Sequence, residues 1–213
     1  MESLGLEEGG EQRDIELSTL KAIFPELQID ENDQYAFSYE VPVNPSKNVT
    51  VSFPAPTEGP AQDPTQPQRD AQENPTDSHS LSYLPSVRLR ISLPPGYPED
   101  NPPIFAVSVS PPWLPESTIT KLEDAGPRLW EDLGRDMVAF TYIDHVVQAA
   151  EDVFSLVDDK GCLEVDPQHK IAILDYDIKA KRAAFDKGTY ECGICLGRIT
   201  PFPPFHHYIA EKQ

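Results

Sequence analysis

Cysteine is nearly missing: three in 213 residues, at Cys162, Cys192 and Cys195. An odd, sparse set excludes a disulfide framework. Basic residues are scarce too, 17 Lys and Arg against 36 Asp and Glu, which leaves a net charge of -19. That balance opposes broad contact with phosphate backbones or anionic lipid, so nucleic acid and membrane are not expected partners and proteins are. No apolar run approaches the ~20 residues of a membrane span. Met1-Glu2-Ser3 opens an acidic segment without the basic and apolar regions of a secretory leader. The expected location is cytoplasmic or nuclear, with reduced thiols. Also missing are a Gly-rich phosphate loop, Gly-x-Ser-x-Gly, His-Glu-x-x-His and an EF-hand. No carboxylate pair stands out for acid–base work.

Proline, in contrast, is abundant at 23 residues, about twice the average share. Six of these prolines lie in 54–80, a stretch without Val, Ile, Leu, Met, Phe, Tyr or Trp. Such a segment buries too little apolar surface to offset the entropy of ordering, and a disordered insertion is expected there. Residues 1–10 are read as a flexible N-terminus. Leu17, Leu20, Phe24 and Leu27 keep helical spacing and predict a helix over 11–24, ended by Pro25. Alternation predicts strands at 35–43 and 49–53, joined as a hairpin by Asn44-Pro45-Ser46-Lys47. Further strands are predicted at 87–93 and 104–109. Ile119, Leu122, Leu129 and Leu133 predict a helix that Gly126-Pro127 should kink or break. Ile143, Val146, Val147, Ala150, Phe154 and Val157 predict another over 142–157, with Cys162 near its end. Ile171, Leu174, Ile178, Arg182 and Phe185 mark a last, basic helix. A helix, four strands and then helices imply α+β, an antiparallel meander covered on one face.

Between the third and fourth predicted strands stands Tyr97-Pro98-Glu99-Asp100-Asn101-Pro102-Pro103. Prolines fix φ and lack donors, which stiffens a loop leaving a sheet. With this turn in this layout, residues 11–158 resemble an RWD domain, whose fold is related to that of ubiquitin-conjugating enzymes. The resemblance implies a protein-interaction module. Tyr97, Pro98, Pro102 and Pro103 are its motif, more structural than binding. The conjugating enzymes' His-Pro-Asn segment and nucleophilic Cys are absent; Pro111-Pro112-Trp113-Leu114-Pro115 stands in their place. Trp113 is a packing residue, or a partner contact if exposed.

Cys192-Gly193-Ile194-Cys195 sets two thiolates on one turn, the usual supply of two of zinc's four ligands. A redox pair would open a helix after a strand, which the residues here do not suggest. The stretch from Ala183 to Leu196 resembles the junction between a helical linker (159–188) and the first RING of RING-between-RING (RBR) ubiquitin ligases of the ring-finger-protein-fourteen type, the fungal translation-termination inhibitors. The resemblance implies zinc at Cys192 and Cys195. In a complete protein it also implies a ubiquitin-conjugating enzyme and ubiquitin as partners. No further Cys follows Cys195, and His206 and His207 match neither RING nor finger spacing. Residues 189–213 are therefore read as an incomplete RING start with an unrelated tail, and the chain as truncated, without a catalytic Cys and without ligase activity of its own. The alternative is a stand-alone RWD adaptor in translation or ribosome-associated regulation, its two cysteines incidental. A degenerate conjugating-enzyme-like protein is a third reading, which the missing nucleophile disfavours.

Overall fold

The computed structural model describes residues 4–54, 77–187, 190–191 and 198–199, and the side chains of 12–54 and 77–186. Helix α1 spans Leu4–Ile23, so residues 4–10, expected to be flexible, are helical. Its Leu17 and Leu20 are buried, the face their spacing specified. Strands β1 (Gln28–Ile29), β2 (Ala36–Val43), β3 (Val49–Phe53), β4 (Asp77–Leu81), β5 (Leu84–Ser92) and β6 (Ile104–Val109) follow, then α2 (Glu116–Asp132), α3 (Ala139–Glu151), β7 (Cys162–Glu164) and α4 (Lys170–Lys187).

The main sheet is antiparallel in the order β1-β2-β5-β6. Along β5, Val87, Leu89 and Ile91 are buried, whereas Arg88 and Arg90 point to solvent and pair with Glu40 and Asp30. Helices α2 and α3 cover the apolar face, α2 against β6 and α3 against β2. The architecture is the α+β arrangement the sequence indicates.

The pairing differs from the expected meander in one respect. Asn44 to Lys47 does not turn the chain back: β3 lies in a second sheet, β4-β3-β7. Val49 to Phe53 pairs with Leu81 to Asp77 antiparallel, while β2 pairs with β5. Together β2–β3 and β4–β5 form one long hairpin, interrupted on both strands at the same level. The physical reason lies in the interruption itself. The N–H groups of Ser82 and Tyr83, which have no ladder partner there, both donate to the buried Asp177 carboxylate of α4 at 3.0 Å. Ser82 Oγ also donates to Asn48 across the break at 3.0 Å.

Other differences follow from the same packing. Residues 77–80, expected to be disordered, lie in β4; residues 55–76 of that insertion lie outside the described residues. Cys162 is not a helix-end thiol, because β7 runs parallel to β3, Thr50 opposite Cys162. The stretch expected as a helical linker thus starts with a strand and is anchored by Ile173 and Asp177, both buried. Helix α2 runs unbroken through Gly126-Pro127. The Phe105 ring lies against the Gly126 backbone, and Leu122 and Trp130 are buried on the same helix, which outweighs the roughly 3 kcal/mol that an interior proline costs. Helix α3 stops at Glu151 rather than reaching Val157. Val153, Phe154 and Ser155 then adopt φ of 47°, 55° and 55°, which buries Val153 and turns Phe154 against Trp113.

Candidate interaction site

The loop 94–103 is built around the inward-pointing ring of Tyr97. Gly96, at φ 83°, allows its carbonyl to accept from the Asp100 N–H at 2.7 Å. Asn101 Nδ2 donates to the Pro95 carbonyl at 2.7 Å. Pro98 and Pro103 are buried and Pro102 half-buried. Trp130 of α2 donates its indole N–H to the Pro98 carbonyl at 2.8 Å, which ties the loop to that helix.

Tyr97 is fully buried, and its hydroxyl accepts the Val138 N–H at 2.8 Å. Glu16 of α1, also buried, accepts the Ala139 N–H through Oε1 at 2.8 Å. Helix α3 has no local side chain capping its N-terminus. The first N–H groups of any helix lack intrahelical partners. Here a tyrosine from the loop and a glutamate from α1 supply them from a distance. That long-range cap is what the Tyr-Pro motif does in this fold. Sequence reasoning missed Glu16 as part of it. The available signal was α3's start at Val138-Ala139, without a Ser, Thr, Asp or Asn at the capping position.

Burial holds the Glu16 carboxyl above its ordinary value; its bonds to Tyr97 and Ala139 oppose the shift, and Asp136 adds to it. Its Oε2 is buried without a partner. Burial, then the neighbouring Glu16, raise Tyr97 in turn. A carboxyl whose folded value is raised holds its proton more tightly folded than unfolded. Its contribution to stability is therefore complete below the ordinary value of 4.5 and declines as pH rises through the folded value. Glu16→Gln keeps the acceptor and cannot ionise. Its melting temperature relative to wild type is expected to rise as pH increases above 4.5 and to level off once pH exceeds the folded value. A difference that stays flat or falls contradicts the assignment.

The capped terminus sets the next residue, Phe140, on the surface at 46% exposure. Phe140 stacks on Phe24 with centroids 6.1 Å apart, and Phe24 leans on Tyr39 at 4.9 Å. Ile23 (48% exposed) and Met137 (40%) flank them in sequence. Clustered exposed apolar side chains of this kind mark protein contacts. Sequence reading placed Phe140 just before the 142–157 helix and gave it no role; its exposure follows from α3 starting three residues earlier, at Ala139.

Of the two readings of Trp113, the structure supports packing and not a partner contact. At 3% exposure it packs beside Phe154 and donates its indole N–H to the Pro85 carbonyl at 3.0 Å. It offers no partner contact, because the ring is buried and its polar edge is bonded internally. Cys192 and Cys195 lie outside the described residues, as do His206 and His207. The strands on either side of the two cysteines, β8 (Tyr190–Glu191) and β9 (Arg198–Ile199), pair antiparallel. Among the described residues, no group of three or more His, Cys, Asp or Glu could hold a metal. Among them no helix is long and apolar enough to cross a membrane.

An antiparallel sheet backed by helices, a proline-stiffened loop serving as scaffold, and an exposed aromatic cluster define a protein-binding α+β domain. The chain belongs to the RWD domain family, whose pattern its residues 11–150 match. It is similar to the E3 ubiquitin-protein ligase itt1 of Schizosaccharomyces pombe, 28% identical over 181 residues, 85% of this chain and 37% of the ligase. It is also similar to the E3 ubiquitin-protein ligase RNF14 of Danio rerio, 28% identical over 153 residues, 55% of this chain and 33% of the ligase. The chain thus spans about a third of the length of these curated relatives. No solved structure matches it.

Proposed function

We propose that this chain is the protein-interaction module of an RBR-type ubiquitin ligase and transfers no ubiquitin by itself. The carrying observation is the similarity to itt1, whose 181 residues extend past the RWD stretch 11–150 into the segment joining it to Cys192. The partner assigned to the Phe24–Tyr39–Phe140 surface is a ubiquitin-conjugating enzyme, the protein with which a ligase must engage. The module acts in the cytoplasm or nucleus. Ribosomal or translation factors are the proteins a ligase of this type would act upon.

Cys192 and Cys195 are read as the first two ligands of a RING. Two thiolates alone complete only half of zinc's tetrahedral sphere, so the residues present do not make a closed site. Purified chain is expected to retain well under one zinc per molecule by elemental mass spectrometry; one tightly held zinc would overturn this. The transfer claim is tested by mixing the chain with ubiquitin, activating enzyme and a panel of conjugating enzymes. No ubiquitin conjugates above the chain-free control are expected, and a ubiquitin thioester on any of its cysteines would refute the reading.

A further inference from the structure

The aromatic patch at Phe24, Tyr39 and Phe140 is bordered by carboxylates that hold no cation. Glu26 is exposed two residues after Phe24, and burial and then the Glu26 charge raise the Tyr39 hydroxyl above its ordinary value. Asp144 is exposed one helical turn after Phe140, on the same side of α3. Asp136 is exposed just ahead of Phe140, and its charge reaches Glu16 and Tyr97, the two groups that cap α3 beside that ring. Asp144 accepts a bond from Gln148 of its own helix, and Asp136 one from the Met137 N–H. Among the described residues, none of the three carboxylates forms an ion pair.

The basic residues nearest in sequence do not neutralise this rim. Arg135 lies over the Trp130 ring, 5.2 Å from its centroid, and pairs with Glu131. Lys21 lines a separate depression with Asp14 and Gln34. The pattern is local and not only a consequence of the net charge of -19. On the open face of the main sheet, Glu40 and Asp30 each meet an arginine, Arg88 and Arg90. An unpaired carboxylate is stable in water, but it repels an acidic partner, and covering it with an apolar surface alone is costly. A partner with an apolar anchor between cations removes both penalties.

We propose that a ubiquitin-conjugating enzyme docks on this patch through an apolar side chain flanked by Lys or Arg, which pair with Glu26, Asp136 and Asp144. This rests on the reading of the patch as that enzyme's docking site. It adds the chemistry that selects among such enzymes, since those with an acidic contact surface are rejected. Rim charges act chiefly on the association rate and its salt dependence. Raising NaCl from roughly 50 to 500 mM shortens the screening length from above about 10 Å to below about 5 Å, so the attraction should fade over that range.

Association and dissociation rates of the whole chain with a panel of conjugating enzymes, at both salt concentrations, test it. The wild type should bind at least about tenfold more tightly at the lower salt, with most of the change in the association rate. Glu26→Lys combined with Asp144→Lys should weaken low-salt binding about tenfold or more and abolish the salt dependence. Glu26→Gln combined with Asp144→Asn should fall between. Thermal melts of both variants should match wild type, because both positions are exposed. Phe140→Ala should weaken binding at either salt. Binding that Phe140→Ala weakens but that neither salt nor the charge reversal changes overturns the charged rim and leaves the docking reading standing. Tighter binding by the charge-reversed variant also overturns the rim. No binding across the panel at either salt overturns the docking reading, and this proposal with it.

Discussion

Tyr97→Ala is expected to destabilise the domain by about 3–5 kcal/mol, the range for deleting a large buried ring. For a domain of this size that corresponds to a fall in melting temperature of roughly 6–20 °C. The ring is fully buried, and its hydroxyl is the acceptor for the buried N–H of Val138, the residue that opens α3. Truncation therefore opens a cavity and removes half of a helix cap together. Tyr97→Phe separates the two effects. It keeps the ring and strands the Val138 N–H, for which about 1–3 kcal/mol is expected. Thermal or urea unfolding of both variants measures the split. If Tyr97→Phe costs as much as Tyr97→Ala, packing is unimportant at this position. If it costs nothing, the long-range cap is not a stabilising contact.

Gly126→Ala sets two effects of opposite sign against each other. Within a helix, alanine is favoured over glycine by about 1 kcal/mol. A Cβ at Gly126, however, would enter the space of the Phe105 ring. That ring cannot easily give way, since it packs on Tyr142 with centroids 3.9 Å apart, beneath α3. Overpacking of this kind costs roughly 1–3 kcal/mol and occasionally more. The clash should win, and a net loss of about 2 kcal/mol is expected in urea unfolding. A stabilised variant would mean that α2 does not need this close approach to β6. A partial reversal on adding Phe105→Leu would locate the clash at that ring.

Apolar periodicity carried much of this architecture. The stripes in α1 and α3 and the alternation in β2, β5 and β6 sit where the core needs them, because burial on one face is what those patterns encode, whereas the α4 stripe of Ile171, Ile178 and Phe185 is exposed and Ile173 is buried in its place. Where the pattern was silent, non-local pairing decided. β4 contains Asp77, Ser78, His79 and Ser80, and its order comes from a backbone ladder with β3 that composition does not reveal. β7 is three residues long and pairs parallel with a strand more than a hundred residues earlier. The apparent turn at Asn44 to Lys47 is a break in a continuing strand, made tolerable by Asp177, which lies in a helix the local sequence gives no reason to connect with it.

The interaction site was legible in part. The Tyr97 loop announced itself through its prolines, and its role as scaffold rather than contact follows from burial. Glu16 was hidden because a single acidic residue in an amphipathic helix normally faces water. Phe140 was hidden because an aromatic beside a helix start has no period of its own. Trp113 stood open between packing and contact, since a tryptophan in a proline-rich segment has the same composition whether or not it is buried, and burial decides for packing.

The central claim is that the chain binds proteins of the ubiquitination machinery through the surface at Phe24, Tyr39 and Phe140. Its most direct test is titration of the isotope-labelled chain with a panel of ubiquitin-conjugating enzymes, followed by amide shifts, for the wild type and Phe140→Asp. At least one enzyme is predicted to bind, with shifts centred on those three residues and affinity reduced about tenfold or more in the variant. Binding centred elsewhere, binding untouched by Phe140→Asp, or no binding across the panel would contradict it.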